Sequence, residues 1–142
     1  ISTANYTVKY ASGRKVPGTY TVKVTMKGNY TGSKTLMFSI RGKKMAVSKL
    51  TALSKGFKAT WKKQSYVTGY QVQYSTSSKF TTKTTKTVKI ANYKTVSKTV
   101  TKLKGNTKYY VRVRSYKTTK ISGKSYNVYS AWSGAKSVKT KK

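Results

Sequence analysis

Leu103-Lys104-Gly105-Asn106-Thr107-Lys108-Tyr109-Tyr110-Val111-Arg112-Val113-Arg114 is the stretch on which the fold turns. A polar Lys-Gly-Asn-Thr-Lys turn follows Leu103, and strict alternation begins. Tyr109, Val111 and Val113 fall on one side, Tyr110, Arg112 and Arg114 on the other. Successive side chains of a strand point to opposite faces, so this is a β-strand with an apolar inner face and a basic, aromatic outer one. A strand that buries Tyr and Val needs partners of the same kind.

Such partners lie upstream. Tyr70, Val72 and Tyr74 alternate with Gln71 and Gln73, and Phe57, Ala59 and Trp61 alternate with Lys58, Thr60 and Lys62. Met45 to Leu53 alternates in part, Thr87-Val88-Lys89-Ile90 has the length of an edge strand, and Val100 with Leu103 closes another. Thr81 to Thr87 reads as a loop entering a strand, and the last strand falls within Ser130 to Lys139. Seven strands joined by short polar loops predict a β-sandwich over residues 45–142.

Residues 1–41 repeat the pattern on a smaller scale. Tyr6, Val8 and Tyr10 alternate with Thr7 and Lys9; Tyr20, Val22, Val24 and Met26 with Thr21, Lys23 and Thr25; Leu36, Phe38 and Ile40 with Met37 and Ser39. Ser12-Gly13, Pro17-Gly18 and the hairpin loop Gly28-Asn29-Tyr30-Thr31-Gly32 separate them. Three strands with one apolar face barely stand alone. Residues 42–44 form a short basic linker to the larger unit.

The charge balance decides which chemistry is open. The 142 residues include 32 Lys+Arg, no Asp, no Glu and no His, for a formal charge of +32. An average chain of this length carries some ~17 carboxylates. Catalytic carboxylate pairs, Ser-His-Asp triads and aspartic dyads are excluded outright. So are carboxylate sites for calcium or magnesium, and imidazole or thiolate sites for transition metals, there being no Cys. No cofactor is expected and the chain reads as a non-enzyme. No run approaches the ~20 apolar residues of a membrane helix, and residues 1–5 lack the build of a signal peptide. Without acids there are no side-chain ion pairs, so stability rests on burying Tyr, Val, Leu and Trp.

In combination, Trp61, Gly69-Tyr70-Gln71-Val72-Gln73-Tyr74 and the Leu103–Arg114 stretch make residues 44–141 resemble a bacterial fibronectin type III domain. The resemblance implies a core role for Trp61 and a sheet-corner role for Tyr109, set by the turn after Leu103. The family's usual Pro in that turn is replaced by Lys104-Gly105. Asn5-Tyr6-Thr7-Val8, Gly18-Thr19-Tyr20-Thr21-Val22 and Gly28–Gly32 make residues 1–41 resemble the end of a bacterial immunoglobulin-like repeat, as in Gram-positive surface proteins. Its opening strands are not seen, so an unpaired edge is expected, packed on the second unit or on another molecule by self-association.

The fold implied is therefore all-β, a fibronectin type III-like seven-stranded sandwich preceded by a three-stranded partial immunoglobulin-like β unit. A surface or secreted location, extracellular or in a bacterial cell wall, goes with it. Expected partners are polyanions, whether nucleic acid, teichoic acid or sulfated glycan, bound through non-specific electrostatics. Arg112, Arg114, Lys136, Lys139, Lys141 and Lys142 are the candidate contacts. Trp132, Tyr110 and Tyr116 are candidates for a stacking surface, with Trp132 beside the outward arginines in an Arg–Trp ladder; a core role for Trp132 is the alternative. No recognition helix, zinc finger or RNA-reading aromatic pattern is present, so nucleic-acid binding would ignore sequence. Two further readings stay open: a structural spacer or filament subunit, and an engineered acid-free, supercharged carrier of nucleic acid.

Overall fold

The alternation seen in the sequence becomes eleven strands in a computed structural model that describes residues 2–142, with one 3-10 turn at Thr3–Asn5. Strands β1 (Tyr6–Tyr10), β2 (Gly18–Met26) and β3 (Ser33–Ile40) form an antiparallel sheet in that order. Val8 stands opposite Val24, Tyr10 opposite Val22, Tyr20 opposite Phe38 and Val22 opposite Leu36. Facing residues share a side of the sheet, so one face collects the apolar side chains, with Lys34 at its end, and the other the threonines, the remaining lysines and Met37. The Gly28–Gly32 loop closes the β2–β3 hairpin, Met26 N donating to Gly32 O at 3.0 Å.

The larger unit is two sheets face to face. Strands β4 (Val47–Leu53), β5 (Gly56–Trp61) and β8 (Ser97–Val100) pair in the order β4-β5-β8. Strands β6 (Gly69–Ser75), β7 (Thr85–Ile90), β9 (Lys108–Ile121) and β10 (Lys124–Tyr129) run β10-β9-β6-β7, with β11 (Lys136–Lys139) also on β9. Phe57, Ala59 and Trp61 from one sheet meet Tyr70, Val72, Tyr74, Tyr109, Val111 and Val113 from the other, all buried. Phe57 meets Tyr74 edge-on at 5.6 Å, and Trp61 packs on Tyr70 at 5.5 Å. Such aromatic pairs add stability beyond their buried area. The Tyr70 hydroxyl accepts from Gln64 N at 3.0 Å and donates to Tyr93 O at 2.9 Å, pinning two loops to the core. Gly69 is required where β6 passes β7, because a Cβ there would collide with the Ile90 carbonyl.

Residues 45–142 hold eight strands rather than the expected seven. β9 continues to Ile121 and returns as β10 through Ser122-Gly123, both at positive φ (49° and 79°). A two-residue turn with both residues at positive φ suits the twist of a hairpin. The period-2 signal is silent there because Lys117-Thr118-Thr119-Lys120 carries no apolar residue. The last strand is shorter than the span that announced it, and Leu103 sits in the loop after β8, half-buried against the core.

The first sheet packs onto this hairpin. Thr19 N donates to Thr119 Oγ1 at 3.3 Å, and Thr19 is buried. At Gly18 and Gly42, added Cβ atoms would lie 3.1 Å from Thr119 Oγ1 and from Ser115 Oγ respectively. Of the two arrangements expected for the small unit, contact with the second unit is the one formed within the chain.

Candidate functional site

On β9 the outward positions are Tyr110, Arg112, Arg114 and Tyr116, and the neighbouring β6 supplies a glutamine beside each arginine. Arg112 Nε donates to Gln73 Oε1 and Arg114 Nε to Gln71 Oε1, each at 2.8 Å. A carboxylate in place of either glutamine would cancel the cation; a neutral amide orients the guanidinium and leaves its charge intact. Arg112 lies 4.0 Å from the Phe80 ring and 4.8 Å from that of Trp132. Arg114 lies 4.2 Å from Trp132 and 4.0 Å from Tyr129. Residues two apart on a strand are about 6.8 Å apart, so the one Trp132 ring is shared by the two guanidiniums. The order along the face is Phe80, Arg112, Trp132, Arg114, Tyr129. Each exposed cation–ring step contributes about 0.5–1 kcal/mol.

The backbone of Tyr129-Ser130-Ala131-Trp132-Ser133 sets the wedge. Ser130 N donates to Ser115 O at 3.0 Å and Ser133 N to Val113 O at 2.9 Å. Three steps along this segment thus match two along β9, a surplus residue of the kind that defines a bulge. Regular pairing is lost, and the two serines restore it: Ser115 N donates to Ser130 Oγ at 3.1 Å and Val113 N to Ser133 Oγ at 3.0 Å. Both serines are buried. The segment is thereby held against β9 without strand geometry, with Trp132 on the arginine face.

Burial in the stack moves both guanidiniums below the usual arginine range. For Arg114, Tyr129 pulls the other way and the charge of Arg112 adds to the lowering. Both remain cations at physiological pH.

The other residues named from the sequence are spread more widely. Tyr110 is half-buried, with Lys108 Nζ 5.4 Å from its ring. Tyr116, expected outward, is only 2% exposed. Strand parity puts it on the arginine face, but Tyr129 at 6.0 Å and Lys89 Nζ at 4.8 Å cover its ring, so it offers no stacking surface. Trp132 is half-buried with both guanidiniums against its ring. Lys139 pairs with Lys108 at the far end of β9. Lys136 reaches across to Ser48 O at 3.2 Å, and Lys141 and Lys142 lie beside Ser54, which bridges to Lys141. The lysines therefore surround the sandwich rather than extend the arginine stack. Trp61 and Tyr109 are core residues, the Tyr109 hydroxyl accepting from Lys104 N at 3.3 Å.

Phe80, Gln71, Gln73, Tyr129 and the two serines complete the stack and were not singled out from the sequence. Only the serines left a signal, two of them three apart around Trp132. Phe80 sits in the β6–β7 loop at φ 51°, where no alternation exists to read.

No protein-family model matches the sequence. No curated protein matches it either. Among solved structures, it is similar to the FN1–FN3 domains of chicken CNTN1, with a TM-score of 0.56 at 19% identity. The match covers 91% of this chain and 43% of that one, so this chain spans less than half of that chain's length. At that identity the likeness speaks for architecture alone, and the architecture is a fibronectin type III-like β-sandwich.

Proposed function

We propose that the chain is a non-enzymatic β-sandwich module of a bacterial cell-surface or secreted protein that binds polyanions electrostatically, without regard to their sequence. The observation that carries this reading is a +32 charge with no acidic side chain to offset it. Small domains usually carry a net charge of about 2–8, and much larger positive values drive association with nucleic acids and other polyanions. The arginine stack supports the reading: it orients two cations with glutamines and rings, so that no acid competes with an incoming anion. The lysines around the sandwich supply mobile contacts that position a polymer without reading it.

Binding to heparin or duplex DNA, measured across salt concentrations, tests this. Counterion release predicts that log affinity falls steeply and linearly with log salt, losing about 10³-fold or more between 50 and 200 mM if six or more charges are engaged. A flat salt response, or no binding in dilute buffer, removes the reading.

A further inference from the structure

At one place two arginines from different parts of the chain line the same hollow. It has a volume of about 380 Å³ and lies between the end of the first sheet and the β10–Trp132 segment. Arg41, just after β3, and Arg114, in the stack, both border it, with Asn127 and the Tyr129–Trp132 segment as walls. Arg114 spends Nε on Gln71, and among the described residues its Nη atoms and the whole of Arg41 have no protein acceptor. Asn127 Oδ1 accepts from Thr118 Oγ1 at 2.7 Å, which leaves its amide N–H groups as donors. The side-chain groups that Arg41, Arg114 and Asn127 leave free at the hollow are thus donors, and two of these three residues are cations.

We propose that this hollow is a discrete oxyanion site, built to hold one sulfate or phosphate group between Arg41 and Arg114. Arg41 and Arg114 both border this space, and the sequence contains no carboxylate to neutralise either of them. A tetrahedral oxyanion presents several oxygens, enough for both planar forks at once, and charge-assisted bonds of this kind are the strong ones. The rings beside Arg114 fix its direction in advance, so little side-chain freedom is lost on binding. Because Arg41 follows the first sheet and Arg114 belongs to the sandwich, the bound group also clamps the two units together. This site rests on the polyanion reading above for its biological ligand, a sulfated or phosphorylated polymer presenting such a group.

The test is a titration of the full chain with inorganic phosphate at constant ionic strength, followed by backbone amide NMR shifts, with inorganic sulfate as a parallel arm. Arg41→Gln is compared with Lys58→Gln, which removes one charge from an exposed position in β5. Arg41 is exposed and makes no hydrogen bond through its side chain, so its replacement leaves the fold in place. The expected result is saturable shifts confined to residues 39–42 and 127–133, weakened at least fivefold by Arg41→Gln and twofold or less by Lys58→Gln. The stronger of the phosphate and sulfate arms identifies the ester. Shifts that never saturate and spread over the lysines, or equal effects of the two substitutions, overturn the site. Salt-dependent heparin binding by the same proteins separates the two ideas. A steep slope without a saturable phosphate site sinks the site alone, and a saturable site without heparin binding sinks the polymer reading alone.

Discussion

The two units of this chain use the same alternating code and reach different ends. In the sandwich, Phe57 and Val72 are fully buried and Trp61 is 2% exposed. In the three-stranded sheet, the residues that alternate just as regularly get no further than half-burial, and three of them stay open, Val8 at 41%, Tyr10 at 51% and Leu36 at 47% exposure. Period-2 patterning makes a strand and assigns its faces; it takes a second layer to turn a face into a core. The sandwich has that layer, whereas the small sheet touches its neighbour through Gly18 and Thr19, at one end of β2.

The sharpest way to break this comparison is to remove the same kind of side chain from each unit. Phe57→Ala should cost about 3–5 kcal/mol of unfolding free energy by denaturant titration, through lost burial and the cavity left. Leu36→Ala, on the open face, should stay within about 0.5 kcal/mol. Equal losses would mean that the small sheet's apolar face is covered in solution.

A second, smaller effect concerns the wedge that carries Trp132. Ser130→Ala leaves the buried Ser115 N–H without its acceptor and should cost about 1–3 kcal/mol. It should also loosen the guanidinium stack, visible as a change in Trp132 fluorescence against a Trp61→Phe background. An unchanged stability would show that the serine is not what holds this segment.

The smallest effect is in alkali. Burial raises the Tyr70 pKa above the usual tyrosine value, outweighing the opposite pull of the hydrogen bond from Gln64 N. A phenol whose folded-state pKa lies above its unfolded one contributes stability that is full below about pH 10 and is lost as pH climbs toward the folded pKa. Tyr70→Phe has no such group, so the stability gap between the two proteins should be constant at neutral pH and shift against the native protein above pH 10. Lysine repulsion is common to both and cancels. A gap independent of pH would show that Tyr70 is not held neutral by its surroundings.

Legibility followed the apolar residues. Tyr70, Val72, Tyr109, Val111 and Val113 announced their strands because a two-residue period needs side chains that avoid water, and the core formed from them. The far half of β9 escaped because Lys117-Thr118-Thr119-Lys120 pairs through the backbone and leaves no hydrophobic signature, and β10, although it carries Tyr126, Val128 and Tyr129, is too short to announce itself without that partner. The arginine face was half legible. Strand parity put Arg112 and Arg114 outward, but the glutamines beside them follow from the β6–β9 register, and Phe80 comes from a loop whose path no local pattern states. Parity also pointed to Tyr116, whose burial depends on Tyr129 returning across a hairpin.

The sequence by itself determined the chemistry open to this protein: with no carboxylate, imidazole or thiol, it can present positive charge and aromatic surface but not the usual acid, base or metal ligand. Only the tertiary structure decided where that charge is organised. Arg41 and Arg114 are separated along the chain and share a hollow because the first sheet seats on the β9–β10 hairpin, a long-range contact that no local periodicity encodes.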